Sequence, residues 1–114
     1  MPTNNSNNKE TNMILTDFKI FLNPNQAIEA YKNGNIAIPI RWRNIAIKNK
    51  GQAAMRVLNF WASPFGEYEF YNSIDVWPGE TKILNAPPNA IYYYRITAVN
   101  LDATLTTEAE FNWV

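Results

Sequence analysis

The sequence predicts an all-β fold, a two-sheet antiparallel sandwich of jelly-roll or immunoglobulin-like form with about eight strands. Three observations carry this expectation. Apolar residues recur at period two in short runs. Turn residues interrupt those runs at intervals of roughly 8–12 residues. No amphipathic stretch is long enough to supply the crossover helix of a βαβ unit.

Residues 1–12 are polar and Asn-rich, without periodicity, and read as a flexible N-terminal arm that cannot bury enough surface to fold alone. The β-sandwich domain is expected over 13–114. In the first run Ile14, Phe18, Ile20 and Leu22 share one face, and Asn23-Pro24-Asn25 ends it as a turn. Gln26–Lys32 reads either as a short helix closed by Gly34 or as a strand leading into an Asn33-Gly34 hairpin. Ile36, Ile38, Ile40 and Trp42 form the next face, and Pro39 assigns this run to a sheet edge or a bulge. Ile45 and Ile47 shift the pattern by one residue, which predicts a bend near Asn44.

Lys48–Gly51 is a turn, Ala53–Trp61 a strand, and Ser63-Pro64-Phe65-Gly66 a break. Glu67–Tyr71 alternates, with Tyr68 and Phe70 facing inward. Ile74–Val76 and Lys82–Leu84 are short runs, closed by Pro78-Gly79 and Pro87-Pro88. Ile91–Val99 is strongly β-prone, with Tyr92 and Tyr94 on the inward face of Ile96 and Ala98. In the last run Leu105, Ala109, Phe111 and Trp113 face in, while Thr106, Glu108, Glu110 and Asn112 face out.

Composition narrows function by exclusion. The 114 residues are 46% apolar and 14% aromatic, enough for one core without covalent staples. Cysteine and histidine are both absent, which removes thiol chemistry, disulfides, Cys/His metal sites and the usual neutral-pH base. No cofactor is implied. The net charge of zero gives no basic surplus for nucleic acid. The first residues lack the apolar core of a secretory signal, so synthesis in the cytoplasm is expected. No apolar run reaches membrane-spanning length, and no membrane insertion is expected.

Glu67 with Glu69, and Glu108 with Glu110, each share a strand face and are the only conceivable acid–base pairs. Solvated faces that discourage edge aggregation are the plainer account, so no catalytic residue is assigned. The aromatic residues offer a second signal. Trp42 and Trp113 continue apolar faces and belong to the core, whereas Trp77 and Tyr93 have charged neighbours on their faces and are the candidates for stacking on a ligand. Arg41 and Arg43, outward on the edge strand, together with Met13, Ile14 and Leu15 beside the arm, are candidates for a subunit interface.

Two segments have a familiar layout. Asn44–Gly51 runs into Ala53–Val57 through an Asn-x-Gly turn, and Ile74–Thr81 contains a Pro-Gly-Glu-Thr turn. This arrangement resembles bacterial jelly-roll and immunoglobulin-like structural domains, in particular the subunits of bacillus endospore appendages. Those subunits carry cysteines in their connector, and this chain has none. The resemblance implies a homo-oligomer or filament built through the N-terminal arm, at a spore or cell surface. The resulting expectation is a non-catalytic, self-assembling structural protein, with a carbohydrate- or protein-binding module as the alternative.

Overall fold

The computed structural model describes residues 15–114. They form eight strands: β1 (Phe18–Leu22), β2 (Ala27–Gly34), β3 (Ile45–Asn49), β4 (Met55–Ala62), β5 (Glu69–Val76), β6 (Thr81–Leu84), β7 (Tyr93–Asn100) and β8 (Thr107–Trp113). One sheet has the order β1-β8-β3-β6 and the other β2-β7-β4-β5, with antiparallel pairing throughout. The all-β sandwich is therefore as the sequence predicts, and this strand order makes it a jelly roll rather than an immunoglobulin-like sandwich. Successive strands change sheet at every connection except β4–β5, the single intra-sheet hairpin among the described residues.

Period-two patterning is what forces these strands into two layers. In β7, Tyr94, Ile96, Ala98 and Asn100 are buried while Tyr93, Arg95, Thr97 and Val99 are half-buried. Ile45 and Ile47 of β3, with Ala109 and Phe111 of β8, face them from the other sheet. At one end of the core an aromatic stack joins the layers. Phe18 lies on Phe111 at 4.7 Å, Tyr31 meets Trp113 edge-on at 4.9 Å, and Trp42 stacks on Tyr94 at 5.5 Å. Trp42 and Trp113 are thus packing residues. Trp42 is buried and its indole N–H donates to the Ile91 carbonyl.

Several sequence expectations change here. Residues 35–44 are not a strand. They form the long crossover from β2 to β3, whose one ladder-type pairing is an isolated Ile40–Ile91 bridge. The cause is local: the Asn35 carboxamide accepts the Ala37 and Ile38 amides, and Pro39 has no amide to give a ladder. Gln26–Lys32 resolves as strand, since most of it pairs with β7, and no Asn33-Gly34 hairpin forms. Phe70 faces out, because an irregularity in β5 leaves Tyr71 without a partner and reverses the parity before it. Leu105 lies in the turn ahead of β8 and is exposed.

Two buried asparagines close the end of the sandwich opposite the aromatic stack. Asn49 donates to the Ala53 and Val76 carbonyls and accepts from the Gly51 amide and the Thr107 hydroxyl. Asn100 donates to the Asn23 and Leu105 carbonyls and accepts from the Asp102 amide. Each satisfies loop backbone that strand pairing leaves open.

Candidate functional site

The β4–β5 hairpin carries the most unusual local geometry. Ser63-Pro64-Phe65-Gly66 is a tight turn closed by the Gly66 amide donating to the Ser63 carbonyl at 3.0 Å. Pro64 occupies the position that its fixed φ favours, and the next position requires a positive φ. Phe65 fills it, with φ of 66°. Elsewhere the chain solves the same problem conventionally. Trp77-Pro78-Gly79-Glu80 is closed by the Glu80 amide on the Trp77 carbonyl, with glycine at the positive φ of 85°. A phenylalanine in that region costs on the order of 1–3 kcal/mol. No packing recovers the cost, because Phe65 is 95% exposed.

The hairpin is stapled to the outer face of its sheet. The Arg95 guanidinium on β7 lies 5.7 Å from both the Phe60 and Tyr68 rings, and Lys32 lies 5.9 Å above Tyr68. Arg95 Nε is 2.9 Å from a Glu29 carboxylate oxygen, an ionic contact that is not aligned as a hydrogen bond. Burial pushes the Tyr68 phenol above its ordinary pKa, with the Glu29 charge adding to the effect. The turn that presents Phe65 is therefore held in place. Beside it Glu67 and Glu69 are exposed, and the crossover that carries half-exposed Ile36 and Ile38 leaves β2 at the same end of the sheet.

The carboxylates whose pKa is displaced are all held in the ionised form. Arg56 lowers Asp75, the Trp77 amide lowers Glu80, the Thr104 and Leu105 amides lower Asp102, and Lys50 lowers Glu110. A general acid requires the opposite displacement. Glu110, on the outer face of its sheet, is paired with Lys50 at 2.9 Å, the arrangement of a solvated charged face.

The sequence matches the PirA-like family model over residues 16–110, almost the whole of the sandwich. The chain belongs to the PirA-like family. A crystal structure of PirA has the same fold, with a TM-score of 0.78 at 24% identity, covering 90% of this chain and 97% of that one. No curated protein matches the sequence. The β-sandwich part of the earlier resemblance thus stands, and nothing in the comparisons supports a link to spore appendages.

The PirA-like fold separates the residues singled out in the sequence. Trp77 is exposed and follows β5 at the end where Val76 lies opposite Met55, and Met55 opposite Asn100. Tyr93 begins β7 at the other end, about 23 Å away at about 3.3 Å per residue, so the two rings do not form one platform. The Arg41 guanidinium donates to the Pro88 carbonyl, and Arg43 donates to the Val114 carbonyl at 2.8 Å. Both arginines tie loop and terminus together rather than lining an edge strand. Leu15 is half-buried, while Met13, Ile14 and the arm 1–12 lie outside the described residues. Phe65 was legible only as part of a break. Its Pro-Phe-Gly context signals a turn, but not that phenylalanine takes the glycine position.

Proposed function

We propose that this PirA-like chain is a small toxin-related, non-catalytic recognition module that docks a protein partner through the β4–β5 hairpin tip. Phe65 carries this reading. Strain maintained at a rigid loop tip, with an aromatic side chain left in water, is the pattern of a preorganised anchor. Burying the ring in a partner's pocket contributes about 1.5–3 kcal/mol, enough to offset the strain. The flanking Glu67 and Glu69, with no cation in the turn, fit an apolar pocket with a basic rim. The same charges disfavour an anionic membrane.

The test compares wild type with Phe65→Gly, which relieves the strain and removes the ring. Cross-linking to extracts of target tissue, read by mass spectrometry, should recover a specific protein with wild type and lose it with the variant. Undiminished capture by the variant rejects the tip. Light scattering of the chain alone separates the alternative: mass that grows with concentration and collapses on removal of residues 1–12 returns the reading to self-assembly through Met13–Leu15. Retention on a glycan array that is insensitive to Phe65 favours a carbohydrate-binding module instead.

A further inference from the structure

The geometry points to Asn33-Gly34 as a site of spontaneous, backbone-assisted deamidation, with the Tyr31 hydroxyl placed beside the leaving amide. Asn-Gly occurs once in the chain, at the end of β2. Asn33 is exposed to water. The Gly34 amide does not serve the ladder there; it donates to the Asn33 Oδ1 at 2.7 Å. That bond keeps the nucleophilic nitrogen beside the side-chain carbonyl whose carbon it attacks once its proton is lost. Glycine offers no side chain to shield the approach. On the other side of the carboxamide, Nδ2 donates to the Tyr31 hydroxyl at 3.1 Å.

The chemistry needs water alone. The Gly34 nitrogen loses its proton to solvent and bonds to Cγ of Asn33, closing a five-membered imide. The Cγ–Nδ2 bond breaks, and Nδ2 leaves as ammonia after taking a proton, for which the Tyr31 O–H is the adjacent donor. Water then opens the imide at either carbonyl, leaving an aspartyl or isoaspartyl residue at position 33. Burial raises the Tyr31 phenol above its ordinary pKa, outweighing the lowering by its bond to Asn33, so the proton is retained in mildly alkaline solution.

The product matters because this strand end has no slack. A Cβ on Gly34 would lie 2.2 Å from the Tyr92 carbonyl oxygen and 2.7 Å from Tyr93 Cα. An isoaspartyl link inserts an extra methylene into the main chain one residue away. The Gly34–Tyr93 pairing and the Asn35 amide bond to Tyr92 would give way, freeing the start of the crossover that carries Ile36 and Ile38. This inference is independent of what Phe65 docks.

Asn72 supplies an internal control. Its Oδ1 accepts the Ser73 amide at 2.8 Å, but it is half-buried within β5 and its neighbour carries a side chain. The experiment incubates the purified full chain at mildly alkaline pH and follows conversion by peptide mapping with mass spectrometry and isoaspartyl detection. Conversion at position 33 that outpaces position 72, stops in Asn33→Gln and slows several-fold in Tyr31→Phe is the expected result. Conversion at 33 no faster than at 72 overturns the site. An unchanged rate in Tyr31→Phe, with the fold retained by circular dichroism, overturns the role of Tyr31. Gly34→Ala is avoided because the added Cβ has no room.

Discussion

Two residues show opposite ways of meeting a local demand. Phe65 is strained and touches little, so its contribution to stability is unfavourable. Phe65→Gly should stabilise the fold by about 0.5–1 kcal/mol, the relief of a positive φ less the added chain entropy of glycine. Phe65→Ala keeps the backbone demand and should not stabilise. Urea unfolding of both variants checks this, and equal midpoints would remove strain from the account. Asn49 is the reverse case, fully buried and bonded to four loop and strand groups. Asn49→Ala should cost about 2 kcal/mol, because it strands the Val76 carbonyl and the Gly51 amide, while the Thr107 hydroxyl still serves the Ala53 carbonyl. A loss below about 1 kcal/mol would mean that water replaces the carboxamide.

At the scale of elements, the Arg95 staple decides whether the β4–β5 hairpin is rigid. Its two ring contacts are worth about 0.5–1 kcal/mol each, and its exposed ion pair with Glu29 adds little. Arg95→Ala should therefore cost about 1–2 kcal/mol globally. Its larger effect should be local, as faster proteolysis and hydrogen exchange across residues 63–68. Arg95→Lys should restore the charge but only part of the protection, because a compact ammonium cannot spread between two rings. Protection unchanged in Arg95→Ala would show that the turn is held by its backbone alone.

Over the whole molecule, pH acts on stability from both sides. Asp75, Glu80, Asp102 and Glu110 all have lowered pKa values in the folded chain. The unfolded chain then binds more protons in the acid range, so their stabilisation is present above the ordinary carboxylate pKa and is lost as pH falls through the lowered values. Tyr94 acts at the other extreme, since burial pushes its phenol up to about 12. Its contribution is complete below the unfolded phenol pKa near 10 and disappears as pH rises through about 12. Unfolding free energy measured across pH should accordingly be flat near neutrality and fall at both ends. Phenolate absorbance should show Tyr94 titrating last, behind Tyr31 and Tyr68, whose phenols burial also raises. A tyrosine set that titrates uniformly near 10 would contradict the burial of Tyr94.

The sequence by itself determined the sandwich, because alternation at period two can bury one side of a strand only by stacking two sheets, and that pattern is written into residues such as Ile45, Ile47, Ala109 and Phe111. It also placed the proline turns. It misread 36–43, where alternating isoleucines imitate a strand but Asn35 takes the Ala37 and Ile38 amides and Pro39 has no amide to give. Only the tertiary structure decided the jelly-roll order, because which strands neighbour one another depends on pairing partners distant in the chain, such as β1 with β8. It likewise decided that Trp77 and Tyr93 stand at opposite ends, and that Asn49 is buried while its neighbour Lys48 is exposed. Phe65 emerged last for the same reason. A side chain's exposure and the sign of its φ depend on how a turn is held, and Arg95, thirty residues along the chain, does the holding.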